Sequence, residues 1–154
     1  MSGPSVCSTE LGLTSVAAPL VHWLELLYAS PQRYTVSAKA AWLKSTFANR
    51  TPARVEVPFE TTIAGVLIRG RIDAIYSDGD GFQVVDWKTG SQQLGKSAQV
   101  QLAMYRLAWA KLSGRDISKI SAAFHYVPTG VTDQPADLLD EAALIKLISS
   151  INQA

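Results

Sequence analysis

Two aspartates and a lysine are the residues of this sequence best suited to chemistry. Asp86 and Lys88 stand two positions apart in the run VVDWKTG, so strand alternation puts both side chains on one face, roughly 7 Å apart along the strand. Asp73 lies thirteen residues before Asp86 in RGRIDAIY, and the intervening DGDG predicts a hairpin that returns one strand beside the other. The three side chains are therefore expected to converge at one end of a single sheet.

These side chains are the kind that metal-assisted hydrolysis of a phosphodiester requires. Mg²⁺ and Mn²⁺ prefer carboxylate oxygens, keep several waters, and can activate a water for attack on a phosphate. Asp73 and Asp86 are therefore candidate metal ligands. Lys88 would orient the attacking water or stabilise the additional negative charge of the transition state, and lysine takes part in proton transfer more readily than arginine does.

Three motifs in a fixed order, GRIDAIY, VVDWKTG and QLAMYRLAW, resemble the RecB-type branch of the PD-(D/E)xK nucleases. The similarity is particularly to the nuclease domain at the C-terminus of bacterial UvrD/Rep-like and AddAB/AdnAB-type helicases, and it extends from about Thr46 to Gly130. It implies a metal-dependent DNA nuclease of exonuclease-like action that is associated with a helicase in DNA repair or recombination. It also implies DNA as the substrate and Mg²⁺ or Mn²⁺ as the cofactor.

The resemblance assigns roles to individual residues. Asp73 matches the family's first acidic position, and Asp86 with Lys88 matches its D-x-K pair. Gln101 and Tyr105 match a Q-x-x-x-Y motif, and at a spacing of four they share one helix face. In the functional interpretation Gln101 contacts a water of the metal site or a DNA phosphate and Tyr105 supports it, whereas the alternative is the polar edge of a packed helix.

Two further residues are candidate metal ligands, each with an equally weighted structural alternative. The family carries a histidine in an N-terminal helix, and His22 in APLVHWLELL is its counterpart here, although Ala18 and Pro19 stand where the family has a Gly-led entry. His22 is otherwise a packed or surface histidine. Glu56 begins the first strand and would lie near the metals or next to the DNA, or serve the structure alone. His125 in AAFHYV is expected to be a hydrogen-bonded strand histidine.

Two other classes of function compete with a nuclease. A module with the nuclease fold could bind DNA, or scaffold a helicase complex, without catalysis. Such modules typically lack one of the acidic or lysine positions, and this sequence retains all three. A small α/β domain that binds a protein partner could carry an accidental D-x-K. Metal titration separates these classes, because only the nuclease needs a divalent cation.

The composition favours one compact domain. The 154 residues are 47% hydrophobic and 18% charged, which suits a single nuclease domain over residues 15–154 after a flexible segment 1–14. No apolar stretch approaches the roughly 20 residues that cross a bilayer, and the N-terminus has no basic leader region, so a cytoplasmic protein without membrane contact is expected. The single cysteine, Cys7, excludes a four-cysteine iron–sulfur cluster, and no G-x-x-x-x-G-K-[ST] loop is present to bind ATP.

The net charge of +1 conceals a pattern along the chain. Residues 26–55 hold five basic and no acidic side chains, residues 56–86 hold six acids and two arginines, and residues 88–119 hold six basic side chains and one acid. Basic segments on both sides of an acidic centre fit phosphate-contacting surfaces around metal-binding carboxylates. Solvated helix faces are the simpler explanation for any one lysine. The candidate DNA contacts are Lys96, Arg106 and Arg71.

Hydrophobic periodicity and turn residues predict the elements that position these groups, and Gly114 is expected to cap the long helix. The order of elements is that of an α/β, restriction-endonuclease-like fold, in which a mixed central sheet has an αβββαβ core and flanking helices. The predicted helices are 17–29, 37–48, Lys96–Leu112 and 137–151, and the predicted strands are 54–60, 65–76 (which can break near Arg69), 82–88 and 119–127.

Overall fold

The computed structural model of the protein describes residues 40–90 and 95–151. The predicted flexible segment 1–14, the predicted helix 17–29 with His22, and Cys7 all lie outside these described residues. None of the helices within the described ranges is both long and apolar enough to cross a bilayer.

One mixed sheet organises this part of the chain. Its strands follow one another in sequence order, with β3 and β4 parallel and the remaining neighbours antiparallel. The predicted α/β architecture with a mixed central sheet is confirmed. The strands are β1 (Arg54–Ile63), β2 (Val66–Asp78), β3 (Gly81–Lys88), β4 (Ile120–Tyr126) and β5 (Val131–Asp133).

A tight turn joins β2 to β3, as the DGDG sequence predicts. Asp78 pairs with Gly81, and Gly79 between them has a left-handed φ of 57°, which costs glycine little. A Cβ on Gly81 would lie 1.8 Å from the carbonyl oxygen of Lys119. Glycine at this position therefore lets the start of β3 lie directly against the chain that enters β4.

A crossover must join two parallel strands, and α1 (Lys96–Ser113) does so between β3 and β4. The helix buries Leu102 and Leu107, and burial of each such side chain contributes roughly 1.5–3 kcal/mol. It ends at Gly114, whose φ of 65° confirms the predicted left-handed cap. Because α1 packs over the sheet, the N-terminal half of α1 lies near β2 and β3.

The opposite face of the sheet holds an aromatic cluster of Trp42, Phe47, Tyr76 and Trp87. The rings of Trp42 and Trp87 lie 4.9 Å apart and those of Phe47 and Tyr76 lie 5.0 Å apart, distances at which aromatic pairs are favourable. Trp87 is thus a core residue, as strand alternation predicts. Since Trp87 faces this cluster, its neighbours Asp86 and Lys88 face the α1 side.

The helix predicted over 37–48 is wrong beyond residue 43, where the chain continues as a series of turns. The main chain tightens through bonds from Lys44 N to Ala41 O and from Ser45 N to Trp42 O. Ser45 Oγ then accepts a hydrogen bond from the backbone N–H of Phe47 at 3.3 Å. A serine side chain that satisfies a local backbone donor competes with helix continuation in this way.

The other differences from the predicted elements are small. β2 is continuous through Arg69, and β5 was not predicted because its three residues are too short to show alternation. The last helix, α2 (Glu141–Ile151), starts four residues later than predicted. Asp140 caps it, since its carboxylate accepts the N–H of Ala143 at 2.8 Å.

Candidate active site

The two strands that carry the aspartates separate at the site. Pairing between β2 and β3 ends at Ala74 with Val85, although β3 continues to Lys88. The next positions in that register are Asp73 and Asp86. Asp73 Oδ2 accepts a hydrogen bond from the backbone N–H of Trp87 at 2.9 Å. The Asp73 side chain thus takes the place of a β2 backbone acceptor, and the bond holds the carboxylate against β3. The carboxylates of Asp73 and Asp86 therefore lie together where the two strands part.

Asp86 and Lys88 form the buried part of this arrangement. Asp86 is 5% exposed, and Lys88 Nζ lies 2.9 Å from Asp86 Oδ2. The ammonium group therefore offsets the charge of the buried carboxylate. The pair places a negative and a positive group side by side on the α1 side of β3.

Burial and the neighbouring carboxylates both disfavour ionisation of Asp73. Burial raises the pKa of Asp73 to about 6, the charges of Asp86 and Glu56 act in the same direction, and the hydrogen bond from Trp87 opposes them. Like charges that share a site disfavour ionisation, and a nearby cation reverses that effect. At neutral pH the ionised Asp73 carboxylate is held at a cost that a divalent cation would offset.

α1 brings Tyr105 and Gln101 to the same place. The Gln101 amide donates a hydrogen bond to Tyr105 Oη at 2.9 Å. Burial raises the pKa of Tyr105, and the negative charges of Asp86 and Asp73 raise it further, so the phenol lies within electrostatic range of both carboxylates. Four of the five residues predicted as catalytic are thereby brought together, and Gln101 joins them through Tyr105.

A glycine that sequence analysis did not single out makes room for this tyrosine. A Cβ on Gly70 would lie 2.7 Å from the ring of Phe59 and 3.5 Å from that of Tyr105. The two rings pack edge-on at 5.6 Å between centroids. A glycine inside a predicted strand indicates a close approach of this kind, so the signal was present in RGRID.

Glu56 lies beside the carboxylates but is engaged elsewhere. The pairs Val55 with Ala74 and Val57 with Ile72 put Glu56 opposite Asp73 in the β1–β2 register. Its Oε2 is 2.8 Å from Arg71 Nη1. Two of the predicted contact residues, one for metal and one for DNA, thus form an ion pair at the edge of the site.

The remaining predicted DNA contacts differ in their surroundings. Lys96 is exposed at the first position of α1. Arg106 is half-buried, and it donates from Nε to Ile120 O at 2.7 Å and from Nη2 to Ile117 O at 3.1 Å. Because Ile120 pairs with Phe82, four residues along β3 from Asp86, Arg106 is anchored about 13 Å from the site. The structure does not bring it to the carboxylates.

His125 is placed on the other side of the sheet. It is fully buried and pairs with Trp87 in the β3–β4 register, and its Nδ1 lies 2.9 Å from Thr132 Oγ1. Within the described residues its Nε2 has no hydrogen-bond partner. Burial lowers the pKa of His125 to about 4, so the ring is neutral and packs as an aromatic group.

The carboxylates fit a hard divalent cation. Among residues 40–90 and 95–151, no group of three or more His, Cys, Asp or Glu side chains is arranged to hold a metal ion. Mg²⁺ is commonly held by one or two protein carboxylates, with waters and substrate phosphates completing its coordination. Asp73 and Asp86 supply two such carboxylates.

Comparisons with known proteins agree with this chemistry. The family model of the PD-(D/E)XK nuclease superfamily matches residues 9–151. The Gene 69 protein of Mycobacterium phage D29 is 34% identical over 90 residues, which are 58% of this chain and 32% of that protein. The chain therefore spans about a third of the length of this relative.

The chain is also similar to two solved structures. SSO0001 has a TM-score of 0.47 at 21% identity, covering 88% of this chain and 61% of the other. A protein of Eubacterium rectale that bears the name of an exonuclease has a TM-score of 0.37 at 12% identity, covering 84% of this chain and 48% of the other. At these scores neither likeness carries an argument about function.

Proposed function

Because the chain belongs to the PD-(D/E)XK nuclease superfamily, we propose that it is an Mg²⁺- or Mn²⁺-dependent deoxyribonuclease whose site is formed by Asp73, Asp86 and Lys88. The observation that carries the proposal is the separation of β2 from β3, with Asp73 and Asp86 facing one another and Lys88 Nζ 2.9 Å from Asp86. The scissile phosphate would enter the space between the strands.

The roles follow from the chemistry of each group. Asp73 and Asp86 would hold the cation, which when bound polarises the phosphate and lowers the pKa of an attacking water. Asp73 is kept in place by the N–H of Trp87. Lys88 lies in a partly desolvated position, at 23% exposure of its side chain, where a positive charge stabilises the developing charge on the phosphate more strongly than it would in water.

Tyr105 and Gln101 act as positioning residues in this proposal. The Tyr105 ring rests on Phe59 in the space that Gly70 leaves, and its hydroxyl accepts the Gln101 amide. A phenol with a raised pKa stays protonated and can donate a hydrogen bond to a carboxylate, a water or a phosphate. We expect the pair to orient substrate beside the carboxylates.

Cleavage of end-labelled DNA tests the proposal. Wild-type protein should degrade DNA with Mg²⁺ or Mn²⁺ and not with EDTA. Asp86→Asn removes the negative charge of a proposed ligand with little change of shape, and Lys88→Ala removes the stabilising positive charge. Each should slow cleavage at least a hundredfold, in line with the loss of one group that stabilises a transition state. Rates within tenfold of wild type for both variants would overturn the assignment.

Exonuclease-like action, a helicase partner and a role in DNA repair or recombination are finer parts of the proposal. They are supported by the order and spacing of GRIDAIY, VVDWKTG and QLAMYRLAW. One test compares the rates at which the protein cleaves closed circular DNA and linear DNA. A second compares the rates of cleavage with and without a RecB-type helicase supplied in trans. Equal cleavage of circles and linear DNA would contradict exonuclease action, and an unchanged rate with the helicase would contradict the partnership.

A further inference from the structure

The ammonium group of Lys88 has two neighbours of different chemistry. Nζ lies 2.9 Å from Asp86 Oδ2, and it lies over the ring of Phe124 at 5.5 Å from the ring centroid. A cation within about 6 Å of a ring centroid is attracted by the negative charge of the ring face. Phe124 is 1% exposed, whereas the Lys88 side chain is 23% exposed, so a buried ring supports an ammonium group that solvent and substrate can still reach.

The register of the sheet shows that Lys88 leans back along β3 to reach both neighbours. Its partner across the parallel β3–β4 pair is Tyr126, whereas the partner of Asp86 is Phe124. Lys88 Nζ nevertheless lies over the ring of Phe124 and not straight across the strands. The ion pair with Asp86 draws the side chain in the same direction. The two contacts therefore favour the same position of the ammonium group.

Phe124 is the rigid member of this contact. It lies in β4, where it pairs with Asp86 of β3 on one side and with Asp133 of β5 on the other. It also belongs to the core cluster that contains Leu102 and Ala108 of α1. A close-packed core side chain keeps a single rotamer, whereas the stem of a lysine is flexible. The ring therefore restricts the lysine, and not the reverse.

We infer that Phe124 is a positioning residue that holds the Lys88 ammonium group in place for phosphodiester cleavage. An ammonium group carries only hydrogen-bond donors, and an aromatic face attracts it without offering a lone pair. A second carboxylate in place of the ring would compete with the phosphate for those donors. The ring restrains Lys88 and leaves N–H groups for the scissile phosphate or the attacking water. The inference rests on the proposed nuclease function and adds a residue to it.

Loss of the ring should slow cleavage more than it weakens DNA binding. Phe124→Leu keeps an apolar core residue but removes the aromatic face, so the ammonium group is free to take other positions. The single-turnover cleavage rate at saturating DNA should fall about tenfold, which is the scale of a partly desolvated cation–π contact. The DNA concentration that gives half the maximal rate should change less than about twofold, because phosphate contacts elsewhere supply most of the binding.

Fluorinated phenylalanines in place of Phe124 separate the charge of the ring face from its shape. Fluorine withdraws negative charge from the face with little change of size, so the cleavage rate should fall stepwise through the mono-, di- and trifluorinated residues. Phe82→Leu is the matched control for lost packing. The rings of Phe82 and Trp109 pack edge-on at 5.3 Å between centroids, and Phe82 lies about 13 Å along β3 from Asp86. Phe82→Leu should leave the cleavage rate within about twofold of wild type.

Proton NMR of the full chain in EDTA tests the contact without any cleavage. Protons above a ring face are shielded, so the Lys88 methylene protons next to Nζ should resonate upfield of those of the exposed Lys96. Phe124→Leu should remove this shift and Phe82→Leu should retain it.

Three results would overturn the inference while leaving the nuclease proposal intact: an unshifted Lys88 signal in wild type, a cleavage rate that does not respond to fluorination, or equal rates in Phe124→Leu and Phe82→Leu. Absence of cleavage by wild type, with the Lys88 signal shifted upfield, would instead overturn the nuclease proposal and with it the role of this contact in cleavage.

Discussion

Replacement of Asp73 by asparagine should stabilise the metal-free protein at neutral pH. Asparagine retains an oxygen for the Trp87 N–H, which Asp73 accepts at 2.9 Å, but it removes the negative charge that faces Asp86. The pKa of Asp73 is raised from 3.8 to about 6, mainly by burial. A shift of about two units corresponds to roughly 3 kcal/mol, and partial solvent exposure reduces the expected gain to about 1–2 kcal/mol.

The sign of this effect depends on pH. Above about pH 6 the Asp73 carboxyl is ionised in both the folded and the unfolded protein, and the folded protein bears the full cost. As the pH falls through 6 the folded protein takes up the proton first, so the cost shrinks, and below 3.8 it is absent. The advantage of Asp73→Asn should therefore be largest above pH 7 and vanish near pH 3.5.

Thermal unfolding in EDTA measures the stability that Asp73→Asn adds to the metal-free protein. At pH 7.5 the variant should unfold about 3–6 °C higher than wild type, since 1 kcal/mol corresponds to roughly 2–4 °C in a domain of this size. Asp80→Asn is the control, because Asp80 is exposed and its pKa is lowered by its ion pair with Lys119 at 2.7 Å; it should give no increase. An unchanged or lower unfolding temperature for Asp73→Asn at pH 7.5 would refute the claim that the folded protein holds an ionised Asp73 carboxylate at a cost.

Other substitutions test individual parts of the structure. Burial lowers the pKa of His125 to about 4, so the unfolded chain takes up the proton first and wild type should lose stability as the pH falls from 6.5 to about 4. His125→Gln should make that loss smaller. Urea unfolding at pH 7.5 and 4.5 measures the loss, and an equal loss in the variant would contradict the expectation. Gly81→Ala should lower the free energy of unfolding by about 3 kcal/mol, since its Cβ would lie 1.8 Å from the Lys119 carbonyl oxygen. A Cβ on Gly95 would have nothing within 4 Å, so Gly95→Ala should lower it by less than about 1 kcal/mol. Equal losses in the two variants would show that the close approach at Gly81 is absent. Arg106→Ala should lower the free energy of unfolding by about 1–3 kcal/mol through its lost carbonyl contacts. Lys96→Ala should leave the free energy of unfolding within about 0.5 kcal/mol of wild type but reduce the salt dependence of DNA binding by about one ion. Loss of stability in Lys96→Ala, with a reduced salt dependence only in Arg106→Ala, would contradict these expectations.

The parts of the site that sequence alone predicts are those set by short-range rules. Strand alternation puts Asp86 and Lys88 on one face, and the DGDG turn brings Asp73 back beside them, because both rules act over a few residues. Helical spacing likewise places Gln101 and Tyr105 together. The hydrogen bond between them follows from that spacing and from the packing of α1 on the sheet.

The parts that sequence does not predict depend on contacts between distant segments. The charge of Arg106 predicts a DNA contact, which stays a prediction, but no local pattern indicates the two carbonyl groups of Ile117 and Ile120 that its guanidinium also contacts. The separation of β2 from β3 at Asp73, and the left-handed backbone of Glu56, leave no periodic pattern to read. Where β2 leaves β3, the Asp73 side chain takes the place of a backbone acceptor for the N–H of Trp87.

Calorimetric titration of Mn²⁺ into the wild-type chain and into Asp73→Asn, Asp86→Asn and Asp80→Asn tests the proposed cation site most directly. The proposal predicts one saturable site in wild type, with affinity reduced at least tenfold by each of the first two substitutions and unchanged by the third. Circular dichroism of each variant establishes that the fold is retained. Equal Mn²⁺ affinity in all four proteins, or no saturable binding in wild type, would contradict it.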